Sequence, residues 1–198
     1  SGTVQWRKAV YGEVVRLVAP NVAGVTAGTT GGEVYMVYDG RGIWRTKVPG
    51  GVTAMTAEQG NSLYVATFGG GVLKLRTAAH AGRVSWHTED GPVAQGLLVR
   101  AAGAVYGADG GGLTKLGTDD GNERWTLAEA ASTVPAAAGD TLYIGGTDSI
   151  LAYKLSGGTG LAGARTDPQR WQYTHDSGHA SGVSIADGAV FAAVGEEP

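Results

Sequence analysis

The sequence predicts an all-β fold, a β-propeller built from four-stranded antiparallel blades. A period near 40 residues with four short strands in each unit is the signature of a propeller blade. Glycine supplies 35 of the 198 residues, which suits a chain that turns every 8 to 12 residues or so, and no helical apolar period extends beyond about two turns. The period is set by five tryptophans, which recur about every 40 residues: Trp6, Trp44, Trp86, Trp125 and Trp171.

The second strand of each unit is the easiest to place. Four segments occupy equivalent positions, carry one aromatic residue each and follow a glycine-containing turn, where a positive φ permits a tight reversal. They are therefore predicted to be the second strands of hairpins. The four segments are Ser62–Ala66, Ala104–Ala108, Thr141–Gly145 and Ala189–Ala193.

The third and fourth strands follow another glycine turn. The third strand ends in Lys-Leu in three repeats, and a polar loop then leads to the fourth strand, which carries the tryptophan. In the first repeat, residues 32–37 form the predicted third strand and Gly42 opens the fourth. The blades are therefore predicted to end near four tryptophans, Trp44, Trp86, Trp125 and Trp171.

The two ends of the chain supply an incomplete set of strands. Residues 181–186 and 189–194 give a first and a second strand, whereas Gly2–Trp6 has the pattern of a single fourth strand. Joining them gives a composite blade from residues 181–198 and 1–6, so residues 1–198 are expected to form one propeller domain of about five blades. The alternative is an arc of a larger ring, which would leave two sheet faces uncovered.

Composition excludes several classes of function. The formal net charge is −3 and the basic residues are scattered singly, so neither nucleic acid nor an anionic membrane is expected as a partner. Cysteine is absent, which excludes disulfides, thiolate metal sites and a cysteine nucleophile. The sequence contains neither an apolar run of membrane-spanning length nor a signal peptide, so no direct membrane insertion is predicted for these residues.

Histidines provide the first candidate for chemistry. His175 and His179 lie four residues apart beside Asp176, a spacing that would suit a metal on a helix. This stretch lies between strands, however, so a polar loop is the simpler interpretation. His80 and His87 are isolated from any acid or nucleophile, and both are predicted to be exposed.

Acidic and glycine-rich turns provide the next candidates. Residues 118–123 lack the alternating ligand spacing of a calcium loop, so a type I turn with a glycine is the simpler account. The triple glycines at 69–71 and 110–112 precede neither Gly-Lys-Ser/Thr nor a helix, and they are predicted to be hairpin turns rather than phosphate loops.

Three lysines recur at one position of successive third strands, namely Lys74, Lys115 and Lys154. They are predicted to point outward into solvent on one side of the fold. An anionic partner that follows this arc is the alternative.

The repeats resemble the PQQ-like, or quinoprotein-type, propeller blade. WD repeats do not fit because no Trp-Asp dipeptide occurs, and kelch units, at about 50 residues, are longer than most of these repeats. The resemblance implies that each tryptophan is a structural residue packed between adjacent blades. The residues of the fourth repeat that match the blade pattern are Thr133, Val134, Pro135, Gly139, Asp140, Leu142 to Gly145, Leu155, Thr159, Gly160 and Trp171.

The resemblance implies a non-catalytic ligand- or protein-binding propeller, with an unidentified small ligand or protein as partner. Relatives of this kind include scaffold lipoproteins of outer-membrane assembly and extracytoplasmic sensor domains of bacterial membrane Ser/Thr kinases. Frequent Ala, Gly, Val and Arg suit a GC-rich bacterium and favour the sensor version, with an extracytoplasmic location.

The alternative is an enzyme, either a fragment of a PQQ-dependent dehydrogenase or a carbohydrate-active propeller. Such an enzyme would need converging carboxylates, and a quinoprotein would also need a calcium site. No acidic cluster in the sequence has that pattern. No catalytic, cofactor-binding or metal-binding residue is therefore assigned, no cofactor is expected and no enzymatic activity is predicted.

Overall fold

A computed structural model describes residues 2–21, 24–58, 61–69, 71–77, 82–89, 97–101, 103–109, 112–127, 133–155, 169–175 and 178–195. These residues contain 18 β-strands and no α-helix. The strands form four antiparallel four-stranded sheets and one two-stranded hairpin, and each sheet keeps the order of the chain. The predicted all-β class and the four-stranded antiparallel unit are confirmed.

The strands alternate with short turns throughout. The first sheet consists of β1 (Val14–Asn21), β2 (Gly24–Thr29), β3 (Glu33–Tyr38) and β4 (Arg41–Lys47), and the second of β5 (Val52–Glu58), β6 (Ser62–Thr67), β7 (Gly71–Arg76) and β8 (Arg83–Thr88). The third sheet consists of β9 (Leu97–Ala101), β10 (Ala104–Asp109), β11 (Gly112–Gly117) and β12 (Glu123–Leu127). The fourth consists of β13 (Ala136–Ala138), β14 (Thr141–Gly145), β15 (Ser149–Lys154) and β16 (Gln169–Thr174), and the hairpin of β17 (His179–Ala186) and β18 (Ala189–Gly195).

The chain divides into two compact units, residues 1–95 and 96–198. In the first unit, side chains of the first and second sheets share one core, and Trp44 on β4 is half-buried against it. Each fully buried aliphatic side chain contributes about 1.5–3 kcal/mol to folding. The core is formed by Val34, Val48, Val52, Met55, Leu63, Val65, Leu73 and Leu75.

In the second unit, the third and fourth sheets share a core that includes Tyr106, Leu113, Leu142 and Tyr153, and Trp125 packs against it. The hairpin β17–β18 follows the fourth sheet, and β17 packs on it. A Cβ placed on Gly145 at the end of β14 would lie 2.5 Å from the Ala180 Cβ of β17. Only a residue without a side chain permits this approach.

Glycine turns set the distance between the first and second sheets. Gly50 has φ +69°, and a Cβ there would lie 2.1 Å from the carbonyl oxygen of Phe68. A Cβ on Gly32, at φ +78°, would lie equally close to the carbonyl oxygen of Gly50. The backbone amide of Val48 donates to the Gly32 carbonyl at 2.8 Å. Backbone therefore touches backbone here, at conformations that favour glycine.

The N-terminal segment, residues 2–13, differs from the expectation. Gly2–Trp6 was expected to be a fourth strand, but no part of this segment is in a strand. Its contacts instead run along the first sheet. Trp6 Cβ lies 3.2 Å from the Cβ position of Gly40, and the Tyr11 amide donates to Tyr35 Oη at 3.0 Å. These contacts replace the expected strand pairing, and the composite blade from both termini stays a prediction.

Candidate binding surface

The register of the second sheet places Tyr64, Lys74 and Trp86 side by side on β6, β7 and β8. The Tyr64 ring is fully buried, and its centroid lies 5.9 Å from that of Trp86. Lys74 Nζ lies 5.6 Å from the centroid of the Tyr64 ring, within the range of a cation–π interaction. We call such a cross-strand row of Tyr, third-strand residue and Trp a ladder.

The third sheet repeats this ladder with Tyr106, Lys115 and Trp125. Its ring centroids are 6.0 Å apart, and Lys115 Nζ lies 5.9 Å from the Tyr106 centroid. Lys74 and Lys115 are both half-buried. The prediction that they point into solvent is therefore wrong for these two residues, because their stems and ammonium groups pack against the tyrosine rings.

The fourth sheet has the aromatic residues of the ladder but not the lysine. Tyr143 and Trp171 have ring centroids 5.8 Å apart, and Ala152 stands between them in the register. Lys154 pairs instead with Thr141, two residues further along β15, and is exposed. The prediction that Lys154 shares the position of the other two lysines is wrong, because Lys154 lies two residues beyond Ala152, which holds the ladder position on β15.

The fourth sheet also exposes two aromatic side chains of β16. Trp171 is 42% exposed and Tyr173, two residues along the same strand and so on the same face, is 60% exposed. We call Tyr143, Trp171 and Tyr173 the aromatic face. Trp44 and Trp125 pack half-buried on cores that two sheets share, as predicted for tryptophans between blades. Trp171 is more exposed than either, so the aromatic face is the candidate binding surface.

The sequence did not single out Tyr173. Its signal is its position two residues after the tryptophan, where the other three sheets have Thr46, Thr88 and Leu127. Only the fourth repeat places a second aromatic ring there. Alternation along a strand puts it beside the tryptophan.

The two lysine ladders differ in how the tyrosine hydroxyl is hydrogen-bonded. Tyr64 Oη donates to Glu58 Oε2 at 2.8 Å. In the third sheet Ala101 takes the register position of Glu58. Tyr106 Oη is buried and has no hydrogen-bond partner among the described residues. Burial, with a smaller contribution from the nearby Asp140 carboxylate, raises the pKa of Tyr106 to about 12.

Lys115 also lies beside Tyr106 and Asp140. Its Nζ donates to the Leu155 carbonyl oxygen at 3.5 Å, long for a hydrogen bond. Burial lowers the pKa of the Lys115 ammonium, Arg124 lowers it further and Asp140 opposes both effects. Two charged side chains and one buried aromatic ring thus surround a single amine.

The acidic turn at residues 118–123 is stabilised by its own hydrogen bonds. Asp120 Oδ1 accepts from the Asn122 amide at 3.0 Å and from Arg124 Nη2 at 2.9 Å. The Asn122 backbone hydrogen bond is the main reason that the pKa of Asp120 is lowered, and Arg124 contributes. This geometry is that of a capped turn.

The histidine loop lies partly outside the described residues. His175 is half-buried, and its backbone amide donates to the Asp148 carbonyl at 2.9 Å. Asp176 is outside the described residues, and so is the side chain of His179. The interpretation of this stretch as a polar loop therefore stays a prediction.

The described residues include one of the other two histidines. His80 falls outside the described residues, whereas His87 on β8 is half-buried, not exposed as predicted, because it lies in the sheet opposite Leu73. Among the described residues, no group of three or more His, Asp or Glu is placed to hold a metal ion. In the same part of the chain, no helix has the length and apolar character to cross a membrane.

Three solved structures share the fold. BamB from Moraxella catarrhalis superposes with a TM-score of 0.75 at 18% identity, over 90% of this chain and 57% of that chain. The computationally designed Ika8 protein gives 0.68 at 16% identity, over 92% and 55%. The designed Ika4 protein gives 0.67 at 13% identity, over 79% of this chain and 100% of that one. The predicted propeller fold is confirmed, and the chain spans little more than half of the BamB structure.

Comparison of sequences gives the family. A search of curated proteins found no match. One family model, described as outer membrane protein assembly factor BamB, matches residues 1–197. The chain therefore belongs to the PQQ-like repeat family that this model represents.

Proposed function

We propose that this chain is a non-catalytic, protein-binding β-propeller module. The observation that carries the proposal is the aromatic face, on which Trp171 is 42% and Tyr173 is 60% exposed. Tyrosine and tryptophan dominate the binding energy of protein interfaces because they bury large areas with few rotatable bonds. Membership of a family whose model is described as an assembly factor supports a protein as the partner.

The position of the face also favours a protein partner. Trp171 and Tyr173 lie on β16, the last strand of its sheet. An edge strand presents backbone donors and acceptors to an approaching extended segment. A protein segment at this edge would combine backbone pairing with burial of both rings.

A finer version of the proposal makes the module an extracytoplasmic sensor domain of a bacterial membrane Ser/Thr kinase. The resemblance of the repeats to such domains and the composition rich in Ala, Gly, Val and Arg support it. The reading frame of the whole protein tests it. A transmembrane segment and a kinase domain preceding Ser1 are expected, and a frame without them would contradict the kinase version while leaving protein binding intact.

Site-specific photo-crosslinking tests the protein-binding function. A photoreactive phenylalanine analogue at position 173, in the protein expressed in its native host, should yield one discrete adduct. Trp171→Ala should abolish this adduct because it removes one of the two exposed rings of the aromatic face. The same analogue at Phe68, which is 67% exposed in the first unit, is the matched control. Equal labelling from both positions would contradict the proposal.

A further inference from the structure

We propose that Lys115 is the lysine of this chain that small activated acyl donors, such as acyl phosphates, modify first. The inference is independent of the proposed binding function. Lys115 Nζ lies 5.9 Å from the Tyr106 ring centroid and has the Leu155 carbonyl, at 3.5 Å, as its hydrogen-bond acceptor. An aromatic wall and one long hydrogen bond stabilise an ammonium less than a close carboxylate would.

The charges around Lys115 also favour the neutral amine. Arg124 on β12 and Asp140 in the turn between β13 and β14 face it, together with the uncharged phenol of Tyr106. Burial and the Arg124 guanidinium disfavour the ammonium more than the Asp140 carboxylate favours it, so the pKa of Lys115 lies below its ordinary value. Only the neutral amine is a nucleophile.

Three of the other four lysines have different surroundings. Lys47 Nζ donates to the Gly31 carbonyl and lies 3.8 Å from the carboxylate oxygen Glu33 Oε1. Lys8 and Lys154 are exposed to water. Lys74 occupies the same ladder position as Lys115, over a tyrosine that donates to Glu58. Lys74 is therefore the matched internal control.

The reaction is an ordinary acyl transfer. Neutral Nζ attacks the carbonyl carbon of acetyl phosphate, a C–N bond forms, and the C–O bond to phosphate breaks. The electron pair of that bond leaves with phosphate, and the nitrogen releases one proton to solvent. The product is an uncharged amide, which suits a half-buried position beside a ring better than an ammonium does.

Competitive labelling of the intact chain tests the proposal. The chain is treated with isotope-labelled acetyl phosphate, and mass spectrometry follows the acetylation rate of each lysine as a function of pH. At about neutral pH, Lys115 should react faster than every other lysine, and at least about twofold faster than Lys74. The advantage of Lys115 should shrink as pH rises past the ordinary lysine value of 10.5, because its lowered pKa then no longer favours it and burial hinders it. An equal or lower rate at neutral pH would overturn the proposal.

Two variants separate the effect of neighbouring charge on the acetylation rate of Lys115 from the effect of access to its amine. Arg124→Gln should slow acetylation of Lys115, since it removes the neighbouring positive charge, whereas Asp140→Asn should accelerate it. Lys74 should be unaffected by either change. If both variants move the Lys115 rate in the same direction, the proposal is wrong. Should a variant fail to fold, the pH series on the wild-type chain decides alone.

Discussion

In the second sheet the Tyr64 hydroxyl donates to Glu58, whereas in the third sheet the equivalent hydroxyl of Tyr106 has no partner among the described residues. The two ladders are otherwise closely matched. Their Tyr–Trp centroid distances are 5.9 and 6.0 Å, and their lysines lie 5.6 and 5.9 Å from the tyrosine rings. The difference follows from one register position, which holds Glu58 in one sheet and Ala101 in the other.

The comparison shows that one repeat can keep the packing of its tyrosine and tryptophan rings while losing the hydrogen bond of the tyrosine hydroxyl. Ring packing requires only an aromatic residue on the second strand and a tryptophan on the fourth, so both sheets keep it. The hydrogen bond requires an acid on the first strand as well, and a single substitution removes it. A buried hydroxyl without a partner costs free energy, about 1–3 kcal/mol in mutational series.

Truncating the tyrosines should have the largest effect and should erase the difference between the sheets. Tyr64→Ala and Tyr106→Ala should each lower the free energy of unfolding by about 3–5 kcal/mol, because both rings are fully buried. Urea denaturation measures this. Tyr38→Ala, at a residue that is 51% exposed, should change stability far less. A small effect at either ladder would show that its ring does not contribute to the core.

Removing only the hydroxyls should separate the two sheets. Tyr64→Phe removes the donor to Glu58 and should cost about 1.5–3 kcal/mol, the range for hydrogen bonds to charged groups. Tyr106→Phe should be neutral or stabilising, because it removes a buried polar atom without a partner. Thermal melts of both variants provide the measurement. Equal losses would contradict the assignment of different hydroxyl environments.

High pH should destabilise the chain through Tyr106. Its folded pKa is raised from 10.0 to about 12, so between these values the folded state retains a proton that the unfolded state releases. Stability from this group is therefore present below about pH 10 and is lost as pH rises towards 12. Tyrosinate absorbance at alkaline pH should show one late-titrating residue. Tyr106→Phe should remove both that residue and its share of the stability loss.

Replacing the lysines should give the smallest difference. Lys74→Met should cost about 0.5–1 kcal/mol, the value of a partly exposed cation–π interaction. Lys115→Met should cost less, because methionine also relieves the unfavourable burial of the ammonium. Differential scanning calorimetry on both variants resolves the order. A larger loss at Lys115 would show that its charge is held by more than the ring and the Leu155 carbonyl.

Most of the strand pattern could be predicted from sequence. The predicted second strand Thr141–Gly145 has the bounds of β14, and Ser62–Ala66 differs from β6 by one residue. Tryptophans and glycine turns recur locally, at positions that backbone geometry requires. Trp44, Trp86, Trp125 and Trp171 each lie on the fourth strand of a sheet, as their spacing indicates.

The candidate surface could not be predicted because it depends on register and on long-range packing. Lys154 follows the same Lys-Leu pattern as Lys74, yet Ala152 takes the ladder position in its sheet. Exposure of Tyr173 depends on what covers β16, which no local pattern encodes. Trp6 shows the same limit, because its contact with Gly40 replaces the strand that its repeat position suggests.

The glycine contacts between the first two sheets have an evolutionary consequence. Where Gly32, Gly50 and the Phe68 carbonyl meet, the spacing of neighbouring blades depends on main-chain atoms, which mutation does not alter. Side chains elsewhere can then drift a long way while the architecture persists. This agrees with the 18% identity that accompanies a TM-score of 0.75 to BamB. Selection on this scaffold should act most strongly on a few residues that have no side chain.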